Sequence, residues 1–98
     1  ENVYHAEVEQ VIYQHPAVAD CAVIGVPNRH WGEVGHAVVV PREGATVTAD
    51  DILAFLTGRL AKYKIPKTVA FVDALPSNGT GKVLKSRLRH QHGTAGRR

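Results

Sequence analysis

Apolar residues fall in this chain either at helical spacing or in continuous β-branched runs, and the change from one to the other divides it into elements. In residues 6–14, Val8, Val11 and Ile12, continued by His15, fall at i, i+3, i+4 and i+7, the spacing of an amphipathic helix that Pro16 must end. Residues 18–26 form a β-branched, apolar run that stops at Pro27-Asn28, and residues 34–40 form a second that stops at Pro41; both predict strands. Helical spacing returns over 51–61, with Ile52, Phe55, Leu56 and Leu60 on one face. Thr48 or Asp50 is placed to cap that helix, and the Asp50 and Asp51 carboxylates suit its positive end. A linker over 62–66 leads to a third strand over 68–73. Residues 76–81 are all turn formers except Thr80. A short basic helix follows over 83–90, with Leu84 and Leu88 inward, and the tail from His92 is expected to be disordered.

The predicted order is α-β-β-α-β-α, an α+β domain with a three-stranded sheet covered by helices. The pattern leaves the order of strands in the sheet open. A chain of 98 residues suits one domain, which at this size buries ~60–65% of its unfolded surface. The domain is expected over 1–90, with 91–98 as the tail. An apolar fraction of 44% and a mean hydropathy of -0.16 favour a globular chain over a disordered one. No apolar run approaches the ~18–20 residues of a membrane span, and no secretory leader is evident. Cys21 is the one cysteine, so a disulfide framework is excluded and a reducing, cytoplasmic compartment is the simplest expectation.

Charge changes the picture, because it is segregated. Residues 1–55 carry Arg29 and Arg42 against eight acidic side chains, a net −6, whereas residues 56–98 carry ten basic side chains against Asp73 alone, a net +9. A basic half of this kind suits a polyanion such as a nucleotide, a phosphorylated cofactor or nucleic acid, and equally a solvated basic face. The six histidines show no HxxxH pair on a helix and Cys21 has no CxxC partner, so no metal site is expected. The Lys85-Ser86-Arg87-Leu88-Arg89 stretch is basic but comes with no recognised nucleic-acid module, and no nucleic-acid partner is expected.

The chemistry concentrates at Gly81-Lys82. A complete phosphate loop needs Gly five residues before Gly81 and a hydroxyl residue after the lysine; the chain has Pro76 and Val83, so an autonomous P-loop is rejected. A Gly-rich loop can still carry one ammonium into a site on another surface, for which lysine, a point charge on a long stem, is suited. The wider stretch, Pro76, four residues, Gly81, Lys82, resembles the last core motif of the adenylate-forming superfamily. Leu60-Ala61-Lys62-Tyr63-Lys64-Ile65-Pro66-Lys67 resembles the preceding one, and residues 1–9 resemble the segment after the family hinge. His15-Pro16-Ala17-Val18, residues 23–27 and Trp31-Gly32-Glu33 also match the acyl-CoA synthetase pattern. Glu1-Asn2-Val3-Tyr4 and Val83-Leu84-Lys85 differ from peptide-synthetase forms and favour a CoA ligase. His5 stands where the family commonly has Pro, and Ile65 where some members have Arg.

The resemblance implies the C-terminal lid of an AMP-forming acyl-CoA ligase, inactive without an N-terminal adenylation domain. It implies ATP with Mg²⁺, held mainly by that larger domain, and CoA. Lys82 would be the catalytic lysine of adenylation, and Gly81 beside it would be among the cofactor-binding residues. Asn2, Trp31, Tyr63 and Lys67 would contact CoA, and a protein lysine acetyltransferase acting on Lys82 is an implied partner. Trp31 and Tyr63 as packing anchors, and Lys67 as a surface charge, are the competing readings. The alternatives for the whole are the lid of a peptide-synthetase adenylation domain and a stand-alone basic module binding CoA or a nucleotide.

Overall fold

The computed structural model describes residues 3–95. Its elements are α1 (Val3–Ile12), β1 (Val18–Asn28), β2 (Gly32–Pro41), α2 (Ala49–Leu56), a 3₁₀ turn over Lys62–Lys64, β3 (Thr68–Phe71) and α3 (Lys85–His92). The α+β order expected from the sequence is the one observed. β1 and β2 form an antiparallel hairpin closed at Asn28 opposite Gly32, and β3 runs parallel on the far side of β2, giving the order β1-β2-β3. A parallel neighbour cannot be reached by a tight turn, so the chain crosses over through α2.

The sheet is covered on both faces, which is why β1 reads as an unbroken apolar run rather than an alternating one. Cys21, Val23, Ala37 and Val39 face one way and pack with Val8 and Ile12 of α1, Ile52 and Leu56 of α2, and Leu60. Ala22, Ile24, Val26, Val34 and Val38 face the other way against Leu88 of α3, with Val72, Leu75 and Val83 alongside. Two helices on one face and one on the other make three layers.

Boundaries differ from expectation for local reasons. β1 continues through Pro27 because it is an edge strand, where a missing N–H is tolerated. α2 ends at Leu56 rather than residue 61. Gly58 takes a positive φ of 88°, and the amides of Arg59 and Leu60 both donate to the Leu56 carbonyl, so Leu60 re-enters the core from a turn. α3 begins two residues later than expected and runs through His92, so Gln91 and His92 belong to the helix.

Of the two candidate caps, Thr48 is the one used. Its hydroxyl accepts the Asp51 amide at 3.0 Å while the Asp51 carboxylate accepts the Thr48 amide at 2.9 Å, a reciprocal capping box. Hydrogen bonds from the Thr48 backbone and then its side chain hold the Asp51 carboxyl below the ordinary carboxylate range. Thr48→Ala is expected to cost ~1 kcal/mol, read as a lower denaturant midpoint with an unchanged slope.

Candidate functional site

The proposed site residues fall on two separate constructions. The first is the turn that carries Lys82. Ser77 and Val83 form an antiparallel bridge, the Leu84 amide donates to the Pro76 carbonyl at 2.8 Å, and the Asn78 amide donates to the Lys82 carbonyl at 3.0 Å. Inside this frame Asn78 Oδ1 accepts the backbone amides of Thr80 and Lys82, and the Thr80 hydroxyl. Gly81 closes the turn at φ +84°, a conformation that strains any residue with a Cβ. The Gly81 amide donates to the Asn78 carbonyl at 3.0 Å. The segment is therefore a three-residue hairpin loop with its own hydrogen bonds. Lys82 emerges beside it, exposed, and its ammonium makes no hydrogen bond or ion pair among the described residues.

The second construction is a groove of about 770 Å³ lined by Tyr4, His5, Trp31, Glu33, Val34, Gly35, Ile65 and the four residues Lys62, Tyr63, Lys64 and Lys67. The β1–β2 loop supplies Trp31 by the same device as the Lys82 turn. Asn28 Oδ1 accepts the amides of His30 and Trp31, both at 2.9 Å, and Gly32 follows at φ +76°. Gly35 lies at the floor against Pro66, and its carbonyl accepts the Lys67 amide at 2.9 Å, fixing the start of the Lys67 side chain. Lys67 Nζ lies 6.0 Å from the Trp31 ring centroid, the outer limit of a cation–π contact.

Trp31 and Tyr63 are 71% and 73% exposed, so neither belongs to the core of this domain. The structure thus brings together Trp31, Tyr63 and Lys67 and places Lys82 and Gly81 elsewhere, outside the groove lining. Asn2 lies outside the described residues.

Several lining residues were not singled out from the sequence. Lys64 and Lys62 were visible in the Lys-Tyr-Lys spacing, but their roles separate only in three dimensions. Lys64 Nζ is 2.8 Å from Glu7 Oε1 and sits 5.2 and 5.7 Å from the Tyr4 and Tyr63 ring centroids, which themselves pack edge to face. The Glu7 hydrogen bond is the first cause raising the Lys64 pKa, so this cation is committed to a structural tie between α1 and the 3₁₀ turn. Lys62 and Lys67 form no ion pair among the described residues and are the groove's available positive charges.

Cys21 is no alternative nucleophile. Burial first, then the nearby Glu9 and Asp20 carboxylates, push its thiol up to about 12, so the thiolate is absent near neutrality. The same edge holds Tyr13, whose hydroxyl donates to Asp20 and whose pKa burial and that bond raise to about 12. Among the described residues no group of three His, Cys, Asp or Glu side chains is placed to hold a metal, and no helix is long and apolar enough to cross a membrane.

A family model described as the AMP-binding enzyme C-terminal domain matches residues 7–82, ending on Lys82. The chain belongs to that family. Its relatives include a feruloyl-CoA synthase of Amycolatopsis, 55% identical over 93 residues, and the long-chain-fatty-acid–CoA ligase FadD13 of Mycobacterium tuberculosis, 48% identical over 92. These alignments cover 95% and 94% of this domain but 19% and 18% of the relatives. Apo MatB from Rhodopseudomonas palustris superposes on 97% of the domain with a TM-score of 0.92 at 47% identity, covering 19% of that chain. The domain thus spans about a fifth of the length of the curated relatives it matches, which are CoA ligases and synthetases of the adenylate-forming superfamily.

Proposed function

We propose that this domain is the C-terminal lid of an AMP-forming acyl-CoA ligase and that its two constructions serve the two half-reactions. The observation that carries the reading is the Asn78-centred turn, which spends its hydrogen-bonding groups on its own backbone and leaves one ammonium, that of Lys82, exposed and unpaired. Support for the ligase class comes from relatives with that activity aligned over more than nine-tenths of the domain.

In the first half-reaction a carboxylate attacks the α-phosphate of ATP, acyl-adenylate forms and pyrophosphate leaves. Two anions must meet, and negative charge grows on the phosphoryl oxygens. The Lys82 ammonium offsets both effects if it enters an adenylation domain that holds ATP and Mg²⁺. In the second, the thiol of CoA attacks the adenylate carbonyl and AMP leaves. CoA offers an adenine ring and phosphates, and the groove offers an exposed indole, an exposed phenol and the Lys62 and Lys67 cations. Because the two constructions are separate, the lid turns from one to the other between steps. Acetylation of Lys82 by a protein lysine acetyltransferase would remove the charge that the first step uses and leave the groove intact.

The test is the pair of half-reactions in the full-length protein carrying Lys82→Ala: pyrophosphate release from ATP, and thioester formation from supplied acyl-adenylate and CoA. Equal rates to wild type in both would overturn the reading. The groove makes its own prediction. Trp31→Ala is expected to raise the KM for CoA ~10-fold, in line with ~1–3 kcal/mol for stacking of a base on an aromatic ring, while pyrophosphate release keeps its rate. An unchanged KM would remove Trp31 from the CoA site.

A further inference from the structure

The Lys82 turn runs directly into α3, and α3 starts without a side-chain cap: Leu84 holds the cap position and makes no such bond. The first helical residue, Lys85, reaches instead around the open edge of β1. Its ammonium lies 2.8 Å from Glu9 Oε2 of α1, and that same oxygen accepts the Val23 amide of β1 at 2.7 Å. α1 and α3 cover opposite faces of the sheet. One carboxylate therefore binds three elements: the helix on one face, the edge strand, and the helix that follows the Lys82 turn on the other. Both side chains of the pair are only 18% exposed, so solvent and salt screen it weakly.

The consequence lies three residues away. The turn is tied within itself through Asn78, so its orientation on the domain depends on its two legs. One leaves β3 after the Val72 amide donates to the Val39 carbonyl and packs Leu75 on the sheet; the other packs Val83 there and is held beyond it by the Lys85 ion pair. We infer that Lys85 and Glu9 are positioning residues for Lys82: their ion pair over the β1 edge sets where the turn presents its ammonium. This rests on the adenylation role proposed above for Lys82. A displacement of about 1 Å at a reacting centre can cost up to ~10²-fold in rate, so a partial loosening is expected to be felt in the first half-reaction alone.

The experiment uses the full-length protein, with Lys85→Met, Lys85→Arg, Glu9→Gln, the Lys85→Met/Glu9→Gln double variant and Lys82→Ala assayed side by side. All rates are measured well below the melting temperature of the weakest variant. Lys85→Met and Glu9→Gln are each expected to lower kcat for adenylation ~10-fold with little change in the KM for ATP, and to leave thioester formation within about twofold. The double variant should lose no more than either single one, and Lys85→Arg should restore most of the rate. Lower melting temperatures with a normal adenylation kcat would make the pair merely structural and overturn the inference, as would an equal fall in both half-reactions or additive losses. Lys82→Ala separates the two levels. If it spares adenylation, the proposed role of Lys82 fails; if it abolishes adenylation while Lys85→Met does not slow it, only the positioning role fails.

Discussion

Alanine at position 82 is expected to slow pyrophosphate release ~10²–10³-fold in the full-length protein, a loss of ~2.7–4 kcal/mol of transition-state stabilisation. Thioester formation from supplied acyl-adenylate should stay within about twofold of wild type. The asymmetry is the informative part. An ammonium that neutralises charge on a phosphoryl group acts only while that group reacts, and the groove proposed to hold CoA is not lined by Lys82. Lys82→Arg is not a safe rescue, because a planar guanidinium is a larger, forked donor where the turn presents a point charge. Parallel loss of both half-reactions would mean that Lys82 supports the whole interdomain arrangement rather than one step. Retention of both would make it a surface charge, and a stand-alone binding module would then account better for the groove.

Acidification between pH 6.5 and 4 is expected to destabilise the domain through His36. This side chain is 2% exposed, on the sheet face that α3 covers. Its Nδ1 lies 2.6 Å from the Thr68 hydroxyl and its Nε2 3.3 Å from His92 Nδ1. A neutral His36 satisfies both if Thr68 donates to Nδ1 and Nε2–H donates to His92. A protonated one would have to bring its charge into an apolar layer, beside a second imidazole. Burial first, and His92 second, therefore lower its pKa from 6.5 to about 4. The sign follows from the protons bound. Between these values the unfolded chain holds a proton that the folded one does not, so folding stability rises with pH. His36 exacts no penalty above 6.5, and stability falls by ~1.4 kcal/mol per unit below it, to a loss on the order of 3 kcal/mol near pH 4. That is a substantial share of the ~5–15 kcal/mol expected for a domain of this size. Denaturant unfolding at pH 7 and pH 4.5 checks it, with His36→Gln expected to flatten the slope. A slope unchanged by that substitution would assign the acid sensitivity to other groups.

Lys82, the Asn78-Gly79-Thr80-Gly81 turn and the three strands were legible in the sequence because each rests on local rules. The continuous apolar runs of β1 and β2 survive in the structure because the sheet is buried on both faces, the helical spacing because each covering helix buries one face, and a glycine at positive φ, Gly81, closes the turn in which Asn78 folds back on its own chain. The extent of helix 51–61 was misjudged because Leu60 continues the apolar spacing although Gly58 has already turned the chain. The helix start at Lys85 lacks a capping side chain, so nothing local marked it.

What the sequence by itself determined was the inventory: one α+β domain, one lysine on a tight turn, and a cationic, aromatic stretch at 62–67. Only the tertiary structure decided which of those charges are available. Placing β3 parallel beside β2 brings Lys67 under Trp31, more than thirty residues earlier, and turns two unrelated loops into one groove. The same packing commits Lys64 to Glu7 and Lys85 to Glu9, fifty-seven and seventy-six positions apart, while Lys62, Lys67 and Lys82 stay exposed. All five are the same residue type on a basic half-chain. Pairing depends on which carboxylate the fold brings within about 3 Å, and no periodicity in the chain encodes that distance.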